Sequence, residues 1–181
     1  MYKRTSLLII CLVILSGCMN AAAYNDEDVA AIVRGEEITV GYMRLLYPDE
    51  EIANMVEEAV KAKLAEQEVK KMKVDVSKQI EQLVESYGQY PKEETQSIEA
   101  QSIRAFADPQ AEKLGMDPNE YYKKYTEIST EMVGYINAYT TALLGELEED
   151  QFGIEEYAEH ANQLFEDLVE QNQDSIEIKI K

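Results

Sequence analysis

In residues 118–147, PNEYYKKYTEISTEMVGYINAYTTALLGEL, large apolar side chains recur at alternating spacings of four and three. This spacing places them along one face of an α-helix: Tyr121, Tyr125, Ile128, Met132, Tyr135, Ile136, Tyr139, Leu143 and Leu147. About 30 helical residues would span about 45 Å. We therefore predict one long helix here, which Gly134 and Gly145 would weaken or bend.

Helical patterns also flank this stretch. Apolar side chains repeat every three or four positions in residues 49–72, 77–87 and 154–171. Two pairs, Asp108-Pro109 and Asp117-Pro118, each predict a helix start, because Asp caps free N–H groups and proline fits the first turn. Gly115 would close a short helix between them, and Gln151-Phe152-Gly153 would form a turn.

Strand patterns occur only near the two ends of the folded part. Residues 29–33, VAAIV, and residues 37–40, EITV, are separated by Arg34-Gly35-Glu36, which predicts a β-hairpin. Ile176, Ile178 and Ile180 alternate with charged residues, which predicts a C-terminal strand. A lone strand is unstable in water, so we expect it to join the hairpin. The predicted fold class is mainly α, a helical array with a small three-stranded sheet formed by the N-terminal hairpin and the C-terminal strand.

The first 18 residues have the layout of a secretory signal. Two basic residues precede an apolar run of about nine residues, which is shorter than the roughly 20 that cross a bilayer. Leu15-Ser16-Gly17-Cys18 follows and resembles the bacterial lipobox. We predict a lipoprotein signal peptide at 1–17, a lipidated tether at 18–27 and the folded domain at 28–181. Acylated Cys18 would hold the protein on the extracytoplasmic face of the cell membrane; the alternative is an ordinary signal peptide with a chance cysteine.

Composition argues against several functions. The chain holds 36 acidic and 17 basic residues, a net charge of −19, which disfavours nucleic-acid binding. His160 is the single histidine, and we expect it at the boundary of a packed helix face. Both cysteines, Cys11 and Cys18, lie in the N-terminal signal region. The pattern contains no metal site, cofactor motif or nucleophilic triad, so we expect no cofactors and no enzymatic activity.

Three stretches resemble a known family. VAAIVRGEEITVGYMRLLYP and VEEAVKAKLAEQEVKKMKVDVS resemble the N-terminal chaperone domain of SurA/PrsA-type extracytoplasmic foldases, and AEKLGMDPNEYYKKY resembles its final helical segment. The resemblance covers residues 28–90 and 108–145, with Arg34 in place of the usual Asn and Lys73 in place of the usual Gly. It implies a module that holds unfolded or partly folded exported polypeptides. The parvulin isomerase domain that many members carry is expected to be absent, because the intervening region reads as helix.

The leading hypothesis is therefore a lipid-anchored, extracytoplasmic chaperone-like protein without isomerase activity. Tyr122 falls off the main stripe of the long helix, and we predict that it forms an exposed peptide contact with Tyr90 or Met132 near a groove. The alternative is a dedicated interaction or adaptor subunit for one membrane or envelope protein. An enzyme is a third hypothesis.

Overall fold

The computed structural model describes residues 24–146 and 151–180, so the predicted signal peptide and Cys18 lie outside the described residues. The described chain forms six helices and three strands, which confirms the predicted fold class. In chain order they are β1 (Val29–Val33), β2 (Glu36–Thr39), α1 (Val40–Leu46), α2 (Ile52–Met72), α3 (Ser77–Tyr87), α4 (Ile98–Leu114), α5 (Pro118–Leu144), α6 (Gln151–Asn172) and β3 (Ile176–Ile178).

The sheet has the order β2-β1-β3, and both pairings are antiparallel. The hairpin turns at Arg34 and Gly35, whose φ angles of 50° and 84° are both in the left-handed region. A two-residue turn of this hand matches the twist of the strands and favours glycine at the second position. The Arg34 N–H donates to the Ser175 carbonyl at 2.8 Å, and the Lys179 N–H donates to the Ala30 carbonyl at 2.8 Å. The predicted C-terminal strand thus pairs with the hairpin.

The Arg34 side chain ties the hairpin turn to two helices. One guanidinium nitrogen, Nη1, lies 2.7 Å from the Glu68 carboxylate on α2, and Nε donates to Asn172 Oδ1 on α6 at 2.8 Å. Partial burial would raise the pKa of Glu68, but the hydrogen bond and the charge of Arg34 outweigh it and lower the pKa. The Arg34 side chain therefore stabilises the turn, although the positive φ angle of Arg34 is unfavourable for a residue other than glycine.

Helix α5 packs against α1, α2, α3, α4 and α6. It contributes to two apolar clusters. The larger cluster lies between the sheet, α2, α5 and α6 and includes Val33, Leu64, Val69, Ala138 and Leu168. The smaller cluster lies between α4 and the first half of α5 and consists of Ala107, Ala111, Tyr121 and Tyr122 with surrounding half-buried residues. One helix thus links both cores.

The prediction of a helix start at Asp108-Pro109 is wrong. Helix α4 begins at Ile98 and continues through Pro109 to Leu114. Ser97 caps it, since its hydroxyl accepts from the Ala100 N–H at 3.1 Å. Pro109 removes one backbone hydrogen-bond donor from the helix. The helix nevertheless continues, because the buried side chains of Ala107 and Ala111 pack against α5. The start at Asp117-Pro118 is confirmed, since the Asp117 carboxylate accepts from the N–H groups of Asn119 and Glu120.

The predicted turn at residues 151–153 is also wrong, because α6 already begins at Gln151. Gly145 ends α5 with a φ of 86°. Gly134 has a packing role instead: a Cβ at this position would lie 2.6 Å from Cγ1 of Ile80. The missing side chain is what allows α3 to approach α5 so closely.

Gly134→Ala is expected to lower the free energy of unfolding by about 1–3 kcal/mol, because the new methyl group overlaps Ile80 in a packed interface. Urea unfolding followed by circular dichroism measures it. Ile80→Ala serves as the matched change, since it removes the overlapping atom. The double variant should lose less stability than the two single variants together. Strictly additive losses would contradict the close approach.

Candidate functional site

A cleft of about 390 Å³ opens between the end of α3, the connection that follows it and the first half of α5. We call it the tyrosine cleft. It is lined by Val84, Gly88, Gln89, Tyr90, Asn119, Tyr122, Lys123, Thr126 and Glu127. Val84 on α3 is 36% exposed, so apolar surface faces the opening. The cleft brings together side chains from two parts of the chain that the sequence analysis treated separately.

Tyr90 and Tyr122, two of the three predicted contact residues, meet in this cleft. Their ring centroids lie 6.2 Å apart with an interplanar angle of 62°, an edge-to-face arrangement. The Tyr90 hydroxyl donates to Asp108 Oδ1 at 2.5 Å, and the Tyr122 hydroxyl donates to the Tyr87 carbonyl at 3.1 Å. Both hydroxyl protons are therefore engaged within the protein. These two tyrosines therefore offer a ligand ring faces and edges rather than free hydroxyl protons.

The prediction that Tyr122 is an exposed contact is wrong. Tyr122 is 6% exposed, because the end of α3 and the residues after it cover the flank of α5 that the apolar stripe left open. Tyr90 is half-buried and forms the accessible wall of the cleft. Tyr122 thus forms the floor, and only a small part of its ring can touch a ligand.

Met132 lies in a different, smaller cleft of about 170 Å³, on the side of α5 that faces α2. Ten residues separate it from Tyr122, which is about 80° short of three full helical turns. The two side chains therefore point to different faces of α5. The structure does not bring Met132 to the tyrosine cleft.

Charged groups dominate the smaller cleft. Lys63 Nζ lies 2.9 Å from Glu66 Oε2 and 3.3 Å from Glu36 Oε2. Burial would raise the pKa of Glu66, but hydrogen bonds from Lys63 and Lys70 outweigh it and lower the pKa. Burial also raises the pKa of Tyr42 to about 12. These groups keep one protonation state around neutral pH, so they form a structural network rather than an acid–base pair.

An aromatic cluster supports the tyrosine cleft from behind. The Tyr121 hydroxyl donates to the Leu45 carbonyl at 2.9 Å, and the rings of Phe106 and Tyr125 lie 4.7 Å apart. Burial raises the pKa of Tyr121 to about 12. Thr126 is 4% exposed, and its hydroxyl has no hydrogen-bond partner among the described residues. A wall of packed aromatic rings therefore backs the cleft.

A larger cleft of about 550 Å³, which the sequence pattern did not predict, lies between α2, α5 and α6. Ile136, Tyr157 and Phe165 contribute its apolar surface, and Glu58, Lys61 and Glu146 lie on its rim. The signal was present in part, since Tyr157 and Phe165 belong to the apolar stripe of α6. Their placement depends on how α6 crosses α5, which periodicity does not specify.

The sequence predicts His160 at the boundary of a packed helix face, but the structure places it on the exposed face of α6. Within residues 24–146 and 151–180, no three side chains of the metal-binding types are grouped for an ion. Among the helices of these same ranges, none combines the length and apolarity that crossing a bilayer requires.

Comparison of the chain with models of protein families, with curated proteins and with solved structures finds no match.

Alkaline pH is expected to unfold the protein between about pH 10 and 12. The pKa of Tyr42 and of Tyr121 rises from 10.0 to about 12 on folding, so the stability they contribute is present below pH 10 and is lost as pH rises through this window. The chain has 12 tyrosines and no tryptophan, so near-ultraviolet absorbance reports tyrosine ionisation directly. The helical circular dichroism signal should fall as Tyr42 and Tyr121, the buried tyrosines with raised pKa values, ionise.

Tyr42→Phe removes one of these ionising groups and should move the alkaline transition to higher pH. Tyr157→Phe, which removes an exposed hydroxyl that donates to the Gly145 carbonyl, is the control. Complete tyrosine ionisation near pH 10 without loss of helix would contradict the role of burial.

Proposed function

We propose that the protein is a lipid-anchored, chaperone-like protein on the extracytoplasmic face of the cell membrane, which binds unfolded or partly folded exported polypeptides without isomerase activity. The tyrosine cleft is the observation that carries this proposal. Its opening is framed by Val84 and Tyr90, and the hydroxyl protons of Tyr90 and Tyr122 are already engaged. Such a surface favours apolar contact over directional recognition, which suits clients of varied sequence.

The size of the cleft supports weak and reversible binding. About 390 Å³ is near the lower end of ligand pockets and holds one or two apolar side chains. A short apolar segment of an unfolded chain could therefore enter and leave without large rearrangement. Burial of one such side chain contributes about 1.5–3 kcal/mol before the cost of ordering the client.

The charge of the protein supports the same role. A net charge of −19 keeps the protein and its complexes apart in solution and attracts basic client segments. Lys123 and Glu127 both line the tyrosine cleft, so its own rim is mixed in charge. The selectivity for basic clients would therefore come from the whole surface rather than from this cleft.

The anchoring half of the proposal rests on the sequence Leu15-Ser16-Gly17-Cys18. A lipid with two or more acyl chains at Cys18 would give stable attachment, whereas one chain binds membranes only marginally. The last residues of the predicted tether, 18–27, contact the folded body: the Arg44 guanidinium pairs with Asp26 and donates to the Tyr24 carbonyl at 2.8 Å.

The adaptor hypothesis draws on a different observation. Large exposed apolar side chains are scattered over the described surface, with Ile98 85% exposed on α4, Leu143 50% exposed on α5 and Val74 41% exposed after α2. Recovery of one stoichiometric protein after cross-linking in cells, rather than many, would favour the adaptor.

Val84→Asp is expected to raise the protein concentration that suppresses client aggregation by about fivefold. This increase corresponds to roughly 1 kcal/mol of lost apolar binding free energy. Light scattering of a denatured model protein at near-equimolar ratio measures it. Val74→Asp is the matched control, since it adds the same charge to an exposed valine outside the cleft. Wild-type protein that does not suppress aggregation at any salt concentration would overturn the proposal.

Cys18→Ala is expected to abolish membrane attachment, because the sulfur atom that would carry the lipid is lost. Fractionation of cells into membrane and soluble parts measures the effect. Cys11→Ala is the matched control and should remain with the membrane. Mass spectrometry of the wild-type protein showing an unmodified Cys18 would contradict lipidation.

A further inference from the structure

In the part of the chain that the structure describes, the outer edge of β3 is open. In the β1–β3 ladder, the Arg34 N–H donates to the Ser175 carbonyl and the Lys179 N–H donates to the Ala30 carbonyl. The backbone N–H and C=O groups of every second residue of β3 therefore point toward β1. Antiparallel alternation turns the N–H and C=O groups of Ile178 away from β1. The Ile176 N–H is already taken by the Gln173 carbonyl. Among the described residues no strand pairs on this side, and an edge of this kind is a template for another strand.

An apolar cleft of about 470 Å³ lies beside this edge, between β3, α2 and α6. Val60, Val169 and Ile176 line it, and Ile178, which also lines it, is 37% exposed. Side chains alternate between the two faces of a strand. Every second side chain of a strand added to β3 would therefore lie on the same face as Ile178, toward the cleft.

Three carboxylates lie around this cleft: Glu57, Glu166 and Glu170. Within the part of the chain that the structure describes, none of them forms an ion pair. Lys61, the one basic residue among the described residues of the lining, is paired with Glu58 at 2.8 Å. The cleft therefore presents unbalanced negative charge around an apolar floor. A second copy of the chain would place like carboxylates against one another, so the charge favours a basic partner.

We propose that the β3 edge binds extended client segments by strand addition, with apolar side chains in the adjacent cleft and flanking Lys or Arg side chains near Glu57, Glu166 and Glu170. This inference rests on the proposed function and names the class of segment that it recognises. Main-chain hydrogen bonds to Ile178 would give affinity for any sequence, and the cleft with its carboxylates would select apolar segments with basic flanks.

The test uses the peptide acetyl-Lys-Thr-Val-Thr-Val-Thr-Lys-amide, in which Lys and Val share one face of a strand. Fluorescence anisotropy of a labelled peptide measures its affinity for the purified protein, and NMR hydrogen exchange follows the Ile178 amide. Binding should slow exchange of this amide at least about tenfold. The same peptide with Glu in place of Lys should bind at least about tenfold more weakly at low salt.

Backbone methylation separates strand addition from simple apolar binding. A residue opposite Ile178 in a hydrogen-bonded antiparallel pair shares its face, so N-methylation of the Val residues should abolish binding. N-methylation of the Thr residues should leave binding largely intact. Equal affinity of both methylated peptides would overturn the inference.

Glu166→Gln with Glu170→Gln should weaken binding of the Lys peptide about fivefold and leave the Glu peptide unaffected or improved. Glu155→Gln with Glu156→Gln, on the exposed start of α6, is the matched control. Aggregation suppression that persists while the peptide neither binds nor protects Ile178 would overturn the inference and leave the proposed function standing. A protected Ile178 amide with doubled mass and no peptide would show that a second copy occupies the edge, which would also overturn it.

Discussion

The packing of the other helices onto α5 is the interaction on which this structure depends. Residues 24–181 contain no cysteine, so no disulfide supports the fold and burial must hold it together. Helix α5 supplies Ala138 and Tyr139 to the larger core and Tyr121 and Tyr122 to the smaller one. The close approach at Gly134 fixes α3 against the same helix. Any change that shortens α5 would therefore separate the two cores and remove the floor of the tyrosine cleft.

Much of the fold could be predicted because its elements follow simple periodicities. The helix α5 and the strand β3 both follow from such spacings. The buried face of α5 differs from the predicted stripe, because Thr126 and Gly134 are buried there while Leu143 is 50% exposed. Short motifs also failed. Asp108-Pro109 has the chemistry of a helix start, but Asp108 accepts from Tyr90 and α4 begins earlier. Tertiary packing outweighed a dipeptide preference there.

The candidate site was less predictable for a related reason. Tyr90 and Tyr122 could be singled out by residue type, yet their meeting depends on the path of the chain after α3, which has no periodic pattern. Met132 belongs to the main apolar stripe of α5, so it lies on another face of the helix than Tyr122. The cleft beside β3 is formed by residues of α2, α6 and β3. Its shape depends on how α6 packs against α2, which the sequence pattern does not specify. Spacing within one helix predicts a face, while a cleft needs the relation between helices.

The antiparallel pairing of β1 with β3 has a mechanical consequence. Ala30 and Lys179 are joined at the corner where the first strand begins and the last one ends. Tension applied between these two ends would load that bond first and then separate the ladder pair by pair, like a zipper. Shear, in which all hydrogen bonds of a ladder break together, requires force along the strands from opposite ends. Here both pulled ends lie at the same end of the ladder, so its bonds break one after another. The folded body would thus yield to pulling at low force, beginning at the sheet rather than within the helices.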